Sequence, residues 1–110
     1  MKSKREYIDE WFAELKKIVL SNIDTDKYAV FLFGSAVDRD YPFGDVDIGI
    51  LGKEPVSFGS ISNISEQLDE SRVPYRYDIR DFSKVDEKFK QSVYSRKIEI
   101  WNKPENITIN

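Results

Sequence analysis

The residues able to do chemistry in this chain are acids and one small-residue turn. An apolar run, Phe31-Leu32-Phe33, ends at Gly34-Ser35, and after nine intervening residues comes Asp45-Val46-Asp47-Ile48. The apolar run reads as a buried strand closed by the Gly-Ser turn. The alternating segment reads as a second strand, which puts Asp45 and Asp47 on one face and Val46 and Ile48 on the other. Two neighbouring carboxylates repel each other, and a divalent cation relieves that repulsion. Hard cations such as Mg²⁺ take oxygen ligands, typically one or two carboxylates together with substrate phosphates. Gly34 removes side-chain bulk, so a phosphate can approach the backbone, and amides at such a turn form an anion nest. A phosphate cradle and a metal site at the ends of two adjacent strands make a nucleotide-handling layout. The plainer reading of the two acids is a solvated strand face, which the low strand preference of Asp disfavours. For Gly34-Ser35 taken alone, an ordinary turn is the better reading.

Composition narrows the chemistry further. The chain has 110 residues, one domain's worth, with 40% hydrophobic and 14% aromatic residues. Cysteine and histidine are both absent, which removes disulfides, thiolate metal sites, Cys nucleophiles and imidazole acid–base catalysis. Carboxylates are the remaining metal ligands, and they favour Mg²⁺ or Mn²⁺. The net charge of −3 argues against bulk electrostatic binding of nucleic acid. No apolar run approaches the ~20 residues of a membrane span. The basic start, Met1 to Arg5, has no apolar segment behind it, so no signal peptide is expected. A cytoplasmic protein with no membrane association is expected.

Several elements must position the acids. Residues 4–21 read as an amphipathic helix opened by a Ser3/Glu6 capping box, with Ile8, Trp11, Phe12, Leu15, Ile18 and Val19 as its apolar stripe. Strand one is expected at Tyr28–Phe33 and strand two at Asp45–Leu51, where Gly49 leaves room for a close neighbour and Gly52 ends the strand. A second helix is expected over 57–71, weak by propensity and dependent on packing through Ile61, Ile64 and Leu68. Strand three, Tyr75–Asp81, places Arg76, Asp78 and Arg80 on one face, so Asp78 joins Asp45 and Asp47 if strands two and three are neighbours. Its plainer role is an ion pair with Arg76 or Arg80. Ser83 is the expected cap of a third helix, Asp86–Ser95. The basic group Lys84, Lys88, Lys90, Arg96 and Lys97 reads as a solvated helix face. Trp11 reads as core, whereas Trp101 and Tyr94 are open to a role as interface anchors. Ile98–Trp101 reads as a short final strand or an extended tail, and residues 104–110 are expected to fray. The fold class is α/β, a small mixed sheet of three to four strands with helices mainly on one face.

The Gly34-Ser35…Asp45-Val46-Asp47 pattern resembles the signature of the DNA polymerase β-like nucleotidyltransferase superfamily. Lys53-Glu54-Pro55-Val56 and Val73-Pro74-Tyr75-Arg76-Tyr77-Asp78-Ile79, which carries a third acid, extend that likeness over nearly the whole chain. In a chain this short it is similar to the minimal nucleotidyltransferases, single domains often encoded beside a helical HEPN-type partner. The resemblance implies a nucleotidyltransferase core at residues 1–103 in which Asp45, Asp47 and Asp78 hold two Mg²⁺ ions (Mn²⁺ in their place), with Asp78 as proton acceptor. It implies that Gly34 and Ser35 position the phosphates of ATP. The reaction implied is transfer of AMP from ATP to a hydroxyl, a Tyr of a HEPN-type partner, with this chain acting as antitoxin in a homo- or hetero-oligomer. The chain departs from the pattern at Ala36, where relatives carry an Arg, and at Gly44, where they carry a Ser. A guanidinium there would hold a triphosphate by paired hydrogen bonds. Arg39 is the candidate to supply that charge, its plainer role being a solvated loop residue. The missing Arg also keeps a second reading alive, a nucleotidyltransferase-fold binding module that neutralises a partner by contact alone.

Overall fold

The computed structural model describes residues 1–109. Helix α1 (Lys4–Ser21) leads into strand β1 (Ala29–Phe33), and a short 3₁₀ turn at Ser35–Val37 precedes β2 (Val46–Leu51). Then follow α2 (Phe58–Glu70), β3 (Tyr77–Asp81), α3 (Glu87–Tyr94) and β4 (Glu99–Asn102). The sheet order is β3-β2-β1-β4. Strand β1 runs antiparallel to both β2 and β4, whereas β2 and β3 are parallel. Parallel neighbours need a crossover, and α2 is that crossover.

Central placement explains β1. Its five residues are all apolar and all buried, because they are covered from both faces of the sheet. On one face Val30 and Leu32 join Val46, Ile48 and Ile50 of β2. Against them pack Phe12, Leu15 and Val19 of α1 and Ile64 and Leu68 of α2. On the other face Phe31 and Phe33 meet Phe82 and Val93, with Phe89 and Tyr94 of α3 alongside. Two helices thus cover one face, and the eight-residue α3 covers only part of the other. The acids lie on that partly covered face.

Local signals set most element ends. Ser3 and Glu6 form the expected capping box. Ser57 caps α2 by accepting from the Ser60 amide at 3.1 Å, which offsets the helix's poor propensity together with buried Ile64 and Leu68. The cap of α3 is Asp86, whose carboxylate accepts from the Phe89 amide at 2.8 Å, and not Ser83. Ser83 is instead drawn back to Asp81, which accepts from both its amide (3.0 Å) and its hydroxyl (2.7 Å). A carboxylate accepts from two donors at once where a serine cap would satisfy one, so Asp81 holds the turn. Its other oxygen accepts from the Val56 amide at 2.8 Å and ties the start of the crossover to the end of β3.

Three further expectations need correction. Trp101 is no free anchor: it is buried, and its indole donates to Glu99 at 2.8 Å. Tyr94 packs against Phe82 and Phe31 in the second core. The segment after Pro104 does not fray over its described part. Ile107 is buried, its amide donates to the Pro104 carbonyl at 3.2 Å, and Ile109 packs on the aromatic core. Asn110 lies outside the described residues. Trp11 sits at the rim of the core, stacked on Tyr7 and edge-on to Tyr75.

Gly49 sits opposite Phe31 in the sheet, and a Cβ there would overlap the Phe31 ring well inside van der Waals contact. That ring is wedged against Phe33, Phe82 and Tyr94 and has nowhere to retreat. Gly49→Ala is therefore expected to destabilise the fold by about 1–3 kcal/mol through overpacking, measured by urea unfolding. An unchanged midpoint would contradict this packing.

Candidate active site

The site is built where β1 ends, β2 begins and β3 runs beside it. Phe33, the last residue of β1, is paired with Asp47, and Asp47 is in turn paired with Asp78 in the parallel register of β2 and β3. Residues paired in adjacent strands project to the same face, so the two carboxylates are neighbours. Asp45 lies just before β2, exposed, and shares their face by alternation. The parallel pairing of β2 with β3 thus brings the three acids to one end of one face.

Gly34 turns the chain at this point. Its φ of 78° lies in the left-handed region that disfavours side chains. A Cβ there would also run into the Asp47 carboxylate. Both constraints demand glycine, and together they press the acid against bare backbone. Ser35 follows, and its hydroxyl accepts from the Gly44 amide at 3.2 Å, which closes the loop between the strands.

Electrostatics record the crowding. The Asp47 carboxyl is pushed above the ordinary carboxylate value, first by burial, then by the charges of Asp78 and Asp45, with Arg80 opposing. Asp78 is held by Arg80, whose Nε donates to Asp78 Oδ2 at 3.0 Å, while the guanidinium lies over the Phe89 ring. The plainer role of Asp78 is therefore present, and it coexists with the proximity to Asp47. Among the described residues, no three acids stand close enough to form a ready metal cluster. The donor chemistry still fits a hard, oxygen-ligated cation: Asp47 is partly buried beside two like charges and forms no ion pair among the described residues. Asp78 would have to release Arg80 to join it.

Arg39 does not join this group. It points to the α1 side of the sheet, with its guanidinium 4.1 Å from the centroid of Phe12 and donating to Glu99 at 2.8 Å. Its side chain is only 14% exposed. The arginine expected to replace the missing phosphate ligand is thus built into the core's edge, because a guanidinium finds both a ring and a carboxylate there. A cleft of about 330 Å³ between α1 and residues 39–43 includes Arg39 but none of the three acids.

A cavity of about 200 Å³ reaches the site at Gly34 and Asp47, without Asp45 or Asp78, and is lined on the α3 side by Ser92, Arg96 and Lys97. Arg96 and Lys97 read from the sequence as solvated charges. Their one legible signal was adjacency, a basic pair at the end of a helix, and only the packing of α3 reveals which face they meet.

The described elements define an α/β nucleotide-transfer core, with a Gly-Ser turn and paired acids at the ends of adjacent strands. The chain belongs to the polymerase β nucleotidyltransferase family, whose model matches residues 13–106. It is 28% identical over 92 residues to a probable protein adenylyltransferase, MntA, of Haemophilus influenzae, spanning 83% of this chain and 80% of that protein. Among solved structures it is similar to the complex of a tri-AMPylated Shewanella oneidensis HEPN toxin with its MNT antitoxin (TM-score 0.61, 17% identity, 84% of this chain and 70% of that one). It is likewise similar to a toxin–antitoxin structure with AMP-PNP (TM-score 0.62, 18% identity, 81% and 70%). Among the described residues, no helix is long and apolar enough to cross a membrane.

Folding raises the proton affinity of Asp47, so its favourable contribution is full below the ordinary carboxylate value and is lost as pH rises through the raised one. Ionised Asp47 is then a cost at neutral pH. Asp47→Asn is expected to raise Tm by a few degrees at pH 7, the scale of roughly 1 kcal/mol or less, and the gain should shrink as pH is lowered through that window. A gain that grows on acidification would contradict the crowding. Arg39→Ala, by contrast, should cost about 1–2 kcal/mol of stability by urea unfolding and leave ATP affinity unchanged.

Proposed function

We propose that this chain transfers AMP from ATP to a protein hydroxyl, a Tyr of a HEPN-type partner, and thereby acts as the antitoxin of a toxin–antitoxin pair. The observation that carries this reading is the pairing of Asp47 with Asp78 beside the Gly34 turn. The likeness to a probable protein adenylyltransferase and to MNT–HEPN complexes supports the acceptor class. ATP use favours the cytoplasm, where that nucleotide is abundant.

Asp45 and Asp47 are the residues that would hold Mg²⁺ or Mn²⁺, with Asp78 completing the set. Bound there, the metal would neutralise phosphate charge and acidify the attacking hydroxyl. The chain's own groups then have defined tasks. Backbone amides at Gly34 and Ser35 orient the phosphates. Asp78 accepts the proton of the attacking hydroxyl as its oxygen bonds to the α-phosphorus. The bond from the α-phosphorus to the bridging oxygen breaks, and pyrophosphate leaves. Catalysis is then positioning plus charge stabilisation.

Two observations favour a second reading, a binding module that neutralises its partner without transfer. Asp78 is engaged by Arg80, and Arg39 is committed to Glu99. Radiolabel from α-labelled ATP separates the two readings. Incubation with the HEPN-type protein encoded nearby and Mg²⁺ should label that protein, and Asp45→Asn should reduce labelling by at least about a thousandfold, the scale of losing a charge-stabilising group at the reacting centre. A stable complex with no label would favour the binding module. Labelling undiminished in the variant would refute the assigned roles.

A further inference from the structure

We propose that Arg96 and Lys97, at the end of α3, bind the β- and γ-phosphates of the nucleotide, filling the role left open by Ala36; the proposal rests on the nucleotide-transfer reading above. The cavity beside the acids has two walls of different character. One carries Gly34 and Asp47, where the reacting phosphate belongs, and the other carries Ser92, Arg96 and Lys97. Phe33, Phe89 and Val93 are the apolar part of the lining. A triphosphate laid from Asp47 across Gly34 meets these two cations next.

Charge balance favours such a role. Three aspartates at one strand end repel a polyanion, and Arg80 alone opposes them from within the group. Arg39 is bound to Glu99 and faces the other side of the sheet. Arg96 and Lys97 are exposed and form no ion pair among the described residues, so their donors are available without breaking any contact. Arg suits a phosphate by paired hydrogen bonds and Lys by point charge. A structural account also exists: cations just past a helix C-terminus interact favourably with its free carbonyls. That account predicts an effect on stability and none on phosphate recognition, so the two are separable.

The test is calorimetric titration of the full chain with ATP and with AMP, each with Mg²⁺. The variants are Arg96→Ala, Lys97→Ala, their combination and Arg96→Lys. Charge-assisted hydrogen bonds to phosphate set the expected scale. Each alanine variant should weaken ATP binding about tenfold or more, the pair should lose more than either, and AMP binding should stay within about twofold. Arg96→Lys should fall between wild type and alanine. Wild-type ATP affinity retained by the double variant, or equal weakening of ATP and AMP, would overturn the proposal while leaving nucleotide binding itself intact. A wild-type chain that binds ATP no better than AMP would overturn the proposal and the reading beneath it together. Thermal unfolding of every variant guards the comparison against loss of fold.

Discussion

The rest of the site depends on one constraint, the confinement of the Asp47 carboxylate. Gly34 on one side admits no side chain, and Asp78 on the adjacent strand adds a like charge. Burial and repulsion together raise its proton affinity. A fold gains no stability from such an arrangement, and a cation with phosphate ligands is what would relieve it. The surrounding architecture can be understood as the means of maintaining that crowding. The α2 crossover makes β2 and β3 parallel, which sets Asp47 beside Asp78. The fully apolar β1 fixes the level at which Gly34 emerges from the sheet.

Supports for this arrangement are themselves polar and specific. Asp81, three residues beyond Asp78 at the end of β3, ties the entry to the crossover to that strand through Val56 and Ser83. Glu99 on β4 gathers both Arg39 and the Trp101 indole on the opposite face. Arg39 therefore serves the scaffold rather than the nucleotide. The loop it belongs to is pinned at its ends, by Ser35 accepting from Gly44 and by Phe43 packing against Phe12 and Tyr75.

Much of this was legible in the sequence, and the reasons are physical. Helix α1 follows from its capping box and apolar stripe, both local signals. The burial of β1 follows from an unbroken apolar run, and the shared face of Asp45 and Asp47 from the twofold period of a strand. Gly49 was readable as a close-approach site, although its neighbour, Phe31, was not. What failed depended on tertiary context. Ser83 is a good cap in isolation but lost to Asp86, because Asp81 competes for its hydroxyl and amide. Arg39 looked free because its ring and carboxylate partners lie far away in sequence, at Phe12 and Glu99. Arg96 and Lys97 are exposed, as the sequence suggests, but nothing local says that they line a cavity with Gly34 and Asp47. Ile107 and Ile109 looked frayed because a short apolar tail packs only if a core edge is open to it.

The central claim is that a divalent cation and nucleotide phosphates meet at the strand ends around Asp47. Paramagnetic NMR with Mn²⁺ and a non-hydrolysable ATP analogue tests it most directly, since broadening reports distance to the ion at each amide. The account predicts broadening centred on Gly34, Ser35, Asp45, Asp47 and Asp78, abolished in Asp47→Asn. Broadening centred elsewhere, around residues 24–27 and 103–106 for instance, or undiminished in that variant, would contradict it.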